Sequence, residues 1–244
     1  MSGPERPARR RRVLLAGDST VAPYVAPEFP LCGWGAHLGA ALNALLPPGE
    51  GPVHVVDLAR NGATTRSHRE EGLWGALLGG TTAGDTVILQ FGHNDQKHAD
   101  LDAAGGYTAH LARMIHEVRE RGAQPVLCTP VARRHYAEGR LLETHGDYPR
   151  AVHELGRTLD VPVLDLHAET RALILDLGEE GSQRLFGRMA PGESPLRPDG
   201  LVDDTHFSID GAIIVADRVA PLLAPLLAPD LAPDLAPVPA AQRA

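Results

Sequence analysis

Short apolar runs alternate with stretches of helical periodicity along this chain, and that alternation constrains the fold more than any other feature. The runs, rich in β-branched residues, occupy positions 13–16, 53–57, 86–91, 125–129 and 161–166 and read as buried strands. Between them, 35–46 is apolar at roughly helical spacing. Residues 107–121 place Leu111, Met114, Ile115 and Val118 on one face, with Gly122 where a helix C-cap glycine belongs. Positions 148–159, 169–177 and 209–223 continue the helical pattern. Strands joined by helical crossovers predict a parallel sheet covered on both faces. In such a sheet, ligands bind beyond the carboxyl ends of the strands, at the switch point.

The chain has 244 residues, 43% hydrophobic and 22% charged, which suits one α/β domain with a sizeable core. We expect that domain over 13–226. The run R-R-R-R lies before it, but the apolar stretch at 13–16 is far shorter than the roughly 7–15 residues of a signal-peptide core. Residues 1–12 therefore read as a solvated basic tail, and the chain as cytoplasmic. Residues 220–244 repeat Ala-Pro about every four positions, a pattern expected to hold neither helix nor sheet. A disordered tail is expected over 227–244. Residues 181–204, rich in Gly, Pro and Arg, read as a long functional loop. The net charge of −8 argues against nucleic acid or an anionic membrane as partner. No apolar run approaches the roughly 18 residues needed to span a bilayer. Two cysteines, Cys32 and Cys128, make no disulfide framework.

Several familiar motifs fail on inspection. G-G-T-T-A-G-D-T at 79–86 has the glycine spacing of a phosphate loop, but Asp85 stands where a lysine is required, so it reads as a turn. The 12 histidines include no H-E-x-x-H, and no Cys/His spacing suggests zinc. No metal and no cofactor is called for. G-x-S-x-G is absent too, so the usual α/β-hydrolase elbow does not apply.

Four blocks point the same way. Strand one ends in Gly17-Asp18-Ser19-Thr20, presenting a serine at a sheet edge as candidate nucleophile. Strand two is followed by Asn61-Gly62-Ala63-Thr64-Thr65-Arg66-Ser67, where a glycine lets a backbone N–H approach a ligand. Strand three is followed by Gly92-His93-Asn94-Asp95, whose Asn94 amide is a candidate donor to a developing oxyanion. Asp203-Asp204-Thr205-His206 precedes the final helical stretch. One tight turn there lets Asp203 orient His206 as a base. Each block alone suits turn or capping chemistry. Together, in a doubly wound sheet, they fall at one edge. Asp204 reads as a loop carboxylate and Asp18 as a brace for the first loop. Trp34 and Trp74 suit core packing. Arg66, Arg69 and His93 read equally as contacts for an acidic sugar and as solvated surface residues.

This set resembles the SGNH (GDSL-type) hydrolase family over about residues 13–223. Within it, A-G-D-S-T-V, G-W-G at 33–35, N-G-A-T-T-R-S-H-R-E-E-G-L-W, Q-F-G-H-N-D and D-D-T-H-F-S-I-D-G-A are similar to the rhamnogalacturonan acetylesterase branch. At 62–67 the chain reads G-A-T-T-R-S, where that branch typically has G-R-S-x-R-S. The resemblance implies a three-layer α/β/α sandwich on a flavodoxin-like five-stranded parallel sheet. It also implies hydrolysis of O-acetyl esters on carbohydrate through an acyl-enzyme, with a small-molecule or oligosaccharide ester as substrate. Ser19, His206 and Asp203 would form the triad, and the Ser19 and Gly62 N–H groups with Asn94 the oxyanion hole. The alternatives are a lipase, lysophospholipase or thioesterase acting on longer acyl chains, and, more remotely, a non-catalytic carbohydrate-binding protein.

Overall fold

A computed structural model describes residues 11–47 and 51–227. The strands are β1 (Arg11–Gly17), β2 (Val53–Asp57), β3 (Thr86–Gln90), β4 (Gln124–Cys128), β5 (Tyr136–Ala137), β6 (Arg140–Leu141), β7 (Val163–Leu164), β8 (Phe186–Met189) and β9 (Leu201–Phe207). The α-helices are α1 (Gly35–Leu45), α2 (Ser67–Glu70), α3 (Leu73–Gly80), α4 (Thr108–Glu120), α5 (Tyr148–Leu159), α6 (Leu166–Gly181) and α7 (Ile209–Leu227).

Five strands form one parallel sheet in the order β2-β1-β3-β4-β7. This is the flavodoxin-like order, whose switch point lies between β1 and β3. Strand periodicity builds the three layers. Val13 and Leu15 point into one core with Leu38 and Leu42 of α1, Leu173 of α6 and Val215 and Val219 of α7. Leu14 and Ala16, one residue out of phase, point into the other with Trp74 of α3, Leu111 and Ile115 of α4 and Val152 of α5. A strand buried on both faces must be apolar at every position, which is why these runs show no alternation.

The helix with the clearest stripe appears as expected: Leu111, Met114, Ile115 and Val118 of α4 are buried, and Gly122 follows its end. Other expectations need correction. Arg11 and Arg12 belong to β1 and not to a tail: their backbones pair with Val53 and His54, and Arg12 reaches Asp85 at 3.2 Å. The expected fifth strand shrinks to Val163–Leu164, because the Asp165 carboxylate accepts from the Ala168 N–H at 3.0 Å and starts α6 at Leu166. Residues 79–80 close α3, and only the segment after them turns into β3. The expected loop 181–204 is largely ordered as the β8–β9 hairpin. Residues 220–227 remain helical with Pro221 and Pro225 inside α7. Val219, Ala220, Leu223 and Ala224 are buried there, so packing outweighs the lost backbone donors. The tails expected at 1–10 and 228–244 lie outside the described residues. Cys32 and Cys128 are free, buried thiols. No helix among the described residues is long and apolar enough to cross a membrane.

Candidate active site

The first loop is held from beneath by a buried polar chain. Asp18 Oδ1 accepts from the Thr20 N–H at 2.9 Å and from the Thr20 hydroxyl at 2.8 Å. The Gln90 amide at the end of β3 donates to Thr20 Oγ1 at 2.6 Å and accepts from Trp34 Nε1 at 2.8 Å. These partners lie in a region closed to water, and their bonds fix the backbone that carries Ser19. Trp34 therefore combines a core role, as expected, with one hydrogen bond that positions the loop.

His206 comes from outside the main sheet. It sits near the end of β9, where the β8–β9 ladder shifts register. Asp203 Oδ1 accepts from the N–H groups of Thr205 at 2.7 Å and His206 at 2.8 Å, so the expected tight turn is folded into an irregular strand. Asp203 Oδ2 meets His206 Nδ1 at 2.7 Å, and His206 Nε2 meets Ser19 Oγ at 2.9 Å. The first loop is stapled to this strand by the Cys32 N–H donating to Phe207 O at 3.0 Å and the Ile209 N–H donating to Pro30 O at 3.0 Å. Burial works to raise the Asp203 pKa, but the bonds from His206 and two backbone N–H groups prevail and hold it down to about 2.

The second and third blocks are tied to each other. Asn94 Nδ2 donates to Ala63 O at 3.0 Å, and Lys97 Nζ donates to Asn94 Oδ1 at 2.8 Å. An amide carries two N–H donors, so one remains after the bond to Ala63. Asp95 Oδ1 accepts from the Thr65 N–H at 2.9 Å and its hydroxyl at 2.6 Å. Burial pushes the Asp95 pKa up to about 6, against those bonds. Gly62 has φ +77°, a conformation that glycine adopts without strain. Among the described residues, neither the Ser19 nor the Gly62 N–H has an intramolecular acceptor. Two free amide donors and a side-chain amide beside a serine–imidazole–carboxylate row suit the stabilisation of an oxyanion.

The remaining candidate contacts each have partners within the fold. His93 is not at the surface: it is buried, with Nδ1 3.3 Å from Asp18 Oδ2. Burial, which favours a neutral ring, outweighs the nearby Asp18 charge and lowers its pKa. His93 packs beneath the first loop, beside Asp18. Arg66 pairs with Asp100 at a partly exposed site. Arg69 pairs with Glu117 at 2.7 Å, and Trp74 Nε1 donates to the same carboxylate. Asp204 is no idle loop carboxylate: Arg134 and Arg188 both pair with it. Tyr24 escapes a reading of the sequence. Its ring lies edge-on to His206, centroids 6.5 Å apart, and burial raises its phenol pKa so that it stays protonated. A lone tyrosine in an irregular loop carries no periodic or spacing signal.

Residues 15–212 match the model of the GDSL-like Lipase/Acylhydrolase family. The chain is 43% identical over 210 residues to rhamnogalacturonan acetylesterase RhgT of Bacillus subtilis (strain 168), covering 86% of this chain and 88% of that protein. It is 32% identical over 212 residues to the probable rhamnogalacturonan acetylesterase YesY of the same organism, covering 85% and 90%. Among solved structures, the acetylxylan esterase Axe2 of Geobacillus stearothermophilus superposes with a TM-score of 0.60 at 18% identity, covering 87% of this chain and 92% of that one, a likeness of fold. A matched stretch running from β1 into α7, and so enclosing all four blocks, places the chain in the GDSL-like lipase/acylhydrolase family.

Proposed function

We propose that this protein is a serine esterase that removes O-acetyl groups from carbohydrate, with acetylated rhamnogalacturonan as its substrate class. The observation that carries the reading is the single row from Asp203 through His206 to Ser19 Oγ, at 2.7 and 2.9 Å. Ser19 Oγ attacks the acetyl carbonyl while His206 Nε2 takes its proton. Asp203 holds the tautomer and stabilises the imidazolium. The oxyanion accepts from the Ser19 and Gly62 N–H groups and from the free Asn94 N–H. His206 returns the proton to the sugar oxygen, which leaves as an alcohol. Water then attacks the acetyl-enzyme by the same route and releases acetate. The identity to RhgT over most of both chains supports the substrate class.

Acetate release tests this, with p-nitrophenyl acetate, acetylated pectic oligosaccharides and acetylated xylan offered to wild type and to Ser19→Ala. Turnover is expected on the pectic substrate above xylan and is expected to vanish in the folded variant. Full activity in Ser19→Ala would overturn the site. A preference for xylan would overturn the substrate class alone.

A further inference from the structure

A second cluster of chemistry-bearing side chains lies beyond His93, in the segment that follows the β5–β6 hairpin. Glu143, His145 and His167 each offer a donor atom, and the three atoms lie within 4.8 Å of one another. The geometry points to a binding site for a late first-row divalent cation, zinc being the natural occupant, formed by Glu143, His145 and His167.

The carboxylate is preset. Glu143 Oε1 accepts from the N–H groups of Thr144 at 2.8 Å and His145 at 2.7 Å, while Oε2 faces His167 Nε2 at 3.0 Å. His167 sits in the first turn of α6, its own N–H anchored on Thr129 Oγ1 at 2.8 Å. His145 is fully buried, its ring packed between His93 and His167 at centroid distances of 4.6 and 5.6 Å. Its Nδ1 has only long contacts, 3.4 Å to Thr144 Oγ1 and 3.8 Å to Glu143 Oε1, and its Nε2 has no hydrogen-bond partner. Nδ1 is the nitrogen that faces Glu143, and its long contacts leave that buried lone pair weakly satisfied, a cost that coordination to a cation would offset.

Two imidazoles and one carboxylate form a donor set suited to zinc. Tetrahedral bonds of about 2.0–2.1 Å place ligand atoms roughly 3.3 Å apart, so donor pairs as wide as 4.8 Å must close by up to about 1.5 Å on binding. Glu143 is exposed, so water could complete the coordination. Arg133 donates to Thr144 O and to His93 O nearby, so its charge opposes the cation and keeps the affinity moderate. The spacing is Glu-x-His on a loop with the second histidine 22 positions on, which no compact motif search would catch. The site would fasten the 142–147 segment to α6 and hold His145 against His93, one contact away from Asp18.

Tag-free full-length protein tests this, titrated with Zn²⁺ by calorimetry and with Co²⁺ by visible absorption. One equivalent per chain is expected, with the d–d bands of tetrahedral Co²⁺ and a Tm that rises with Zn²⁺. Glu143→Gln and His167→Ala, both at partly exposed positions, should each weaken binding at least about tenfold and remove the Tm rise. His153→Ala, at the neighbouring exposed pair with Asp165, should change neither. Absence of stoichiometric binding in wild type would mean that Glu143 and His167 only contact each other, and would overturn the proposal. Binding that survives in folded Glu143→Gln and His167→Ala proteins would do the same.

Discussion

At the scale of single residues, the site separates groups that react from groups that hold them. Asp203, with its pKa held near 2, is ionised throughout any working pH range. The acid limb of a pH–rate profile therefore does not belong to it. Asp203→Asn should keep KM and lower kcat by about 10⁴, since the amide favours the wrong imidazole tautomer. A loss under tenfold would remove Asp203 from the row. Asn94→Ala should lower kcat by about 10²–10³, the usual loss of one oxyanion donor. Its bond to Ala63 O gives the side chain a second, structural duty, so the test pairs steady-state kinetics with a thermal melt. Unchanged kcat in a folded variant would assign Asn94 to structure alone.

At the scale of elements, the β8–β9 hairpin delivers His206. Asp204 is its anchor, with Arg134 at 2.8 Å and Arg188 on the same carboxylate, while Arg134 is itself nearly buried. Asp204→Ala leaves a buried guanidinium short of its counter-charge and should destabilise by about 1–3 kcal/mol. That corresponds to a drop of roughly 2–4 °C in Tm per kcal/mol for a domain of this size. An unchanged Tm would show that the pair is solvent-screened. The junction into α7 is equally strict. A Cβ on Gly211 would overlap Leu185 O, a backbone atom with no room to retreat. Gly211→Ala should therefore leave little folded, soluble protein, and near-wild-type yield and melting would refute that packing. Nothing in the periodicity signals the hairpin, because its pairing depends on a partner strand and on Leu31 bridging to Ser208, not on local propensity.

At the scale of the whole molecule, buried acids and bases set opposing pH dependences. Burial pushes the Asp57 pKa up to about 7, against one bond from the Ala59 N–H, so the folded state holds a proton that the unfolded chain has lost. Its stabilising contribution is complete below pH 3.8 and is lost as pH rises through about 7. His68 runs the other way: burial lowers it to about 4, so its contribution is complete above pH 6.5 and lost as pH falls through about 4. Asp57→Asn keeps an acceptor for Ala59 and removes only the first slope. Its Tm relative to wild type should therefore climb between about pH 4 and pH 7, and a constant difference would show that Asp57 stays charged in the fold. What the sequence determined by itself was whatever rests on local pattern: the parallel sheet, both buried faces, the stripe of α4 and the blocks around Ser19, Gly62, Asn94 and Asp203–His206. Strand ends place the Ser19, Gly62 and Asn94 blocks on one edge, so the nearness of those three was legible before any coordinate. Only the tertiary structure decided the rest. It buried His93 beneath the loop that carries Ser19, set Arg134 and Arg188 on Asp204, brought Tyr24 to His206 and gathered Glu143, His145 and His167. The physical reason is range: Arg134 and Asp204 are 70 positions apart, and a side chain's partner across such a distance is chosen by packing, which periodicity does not encode.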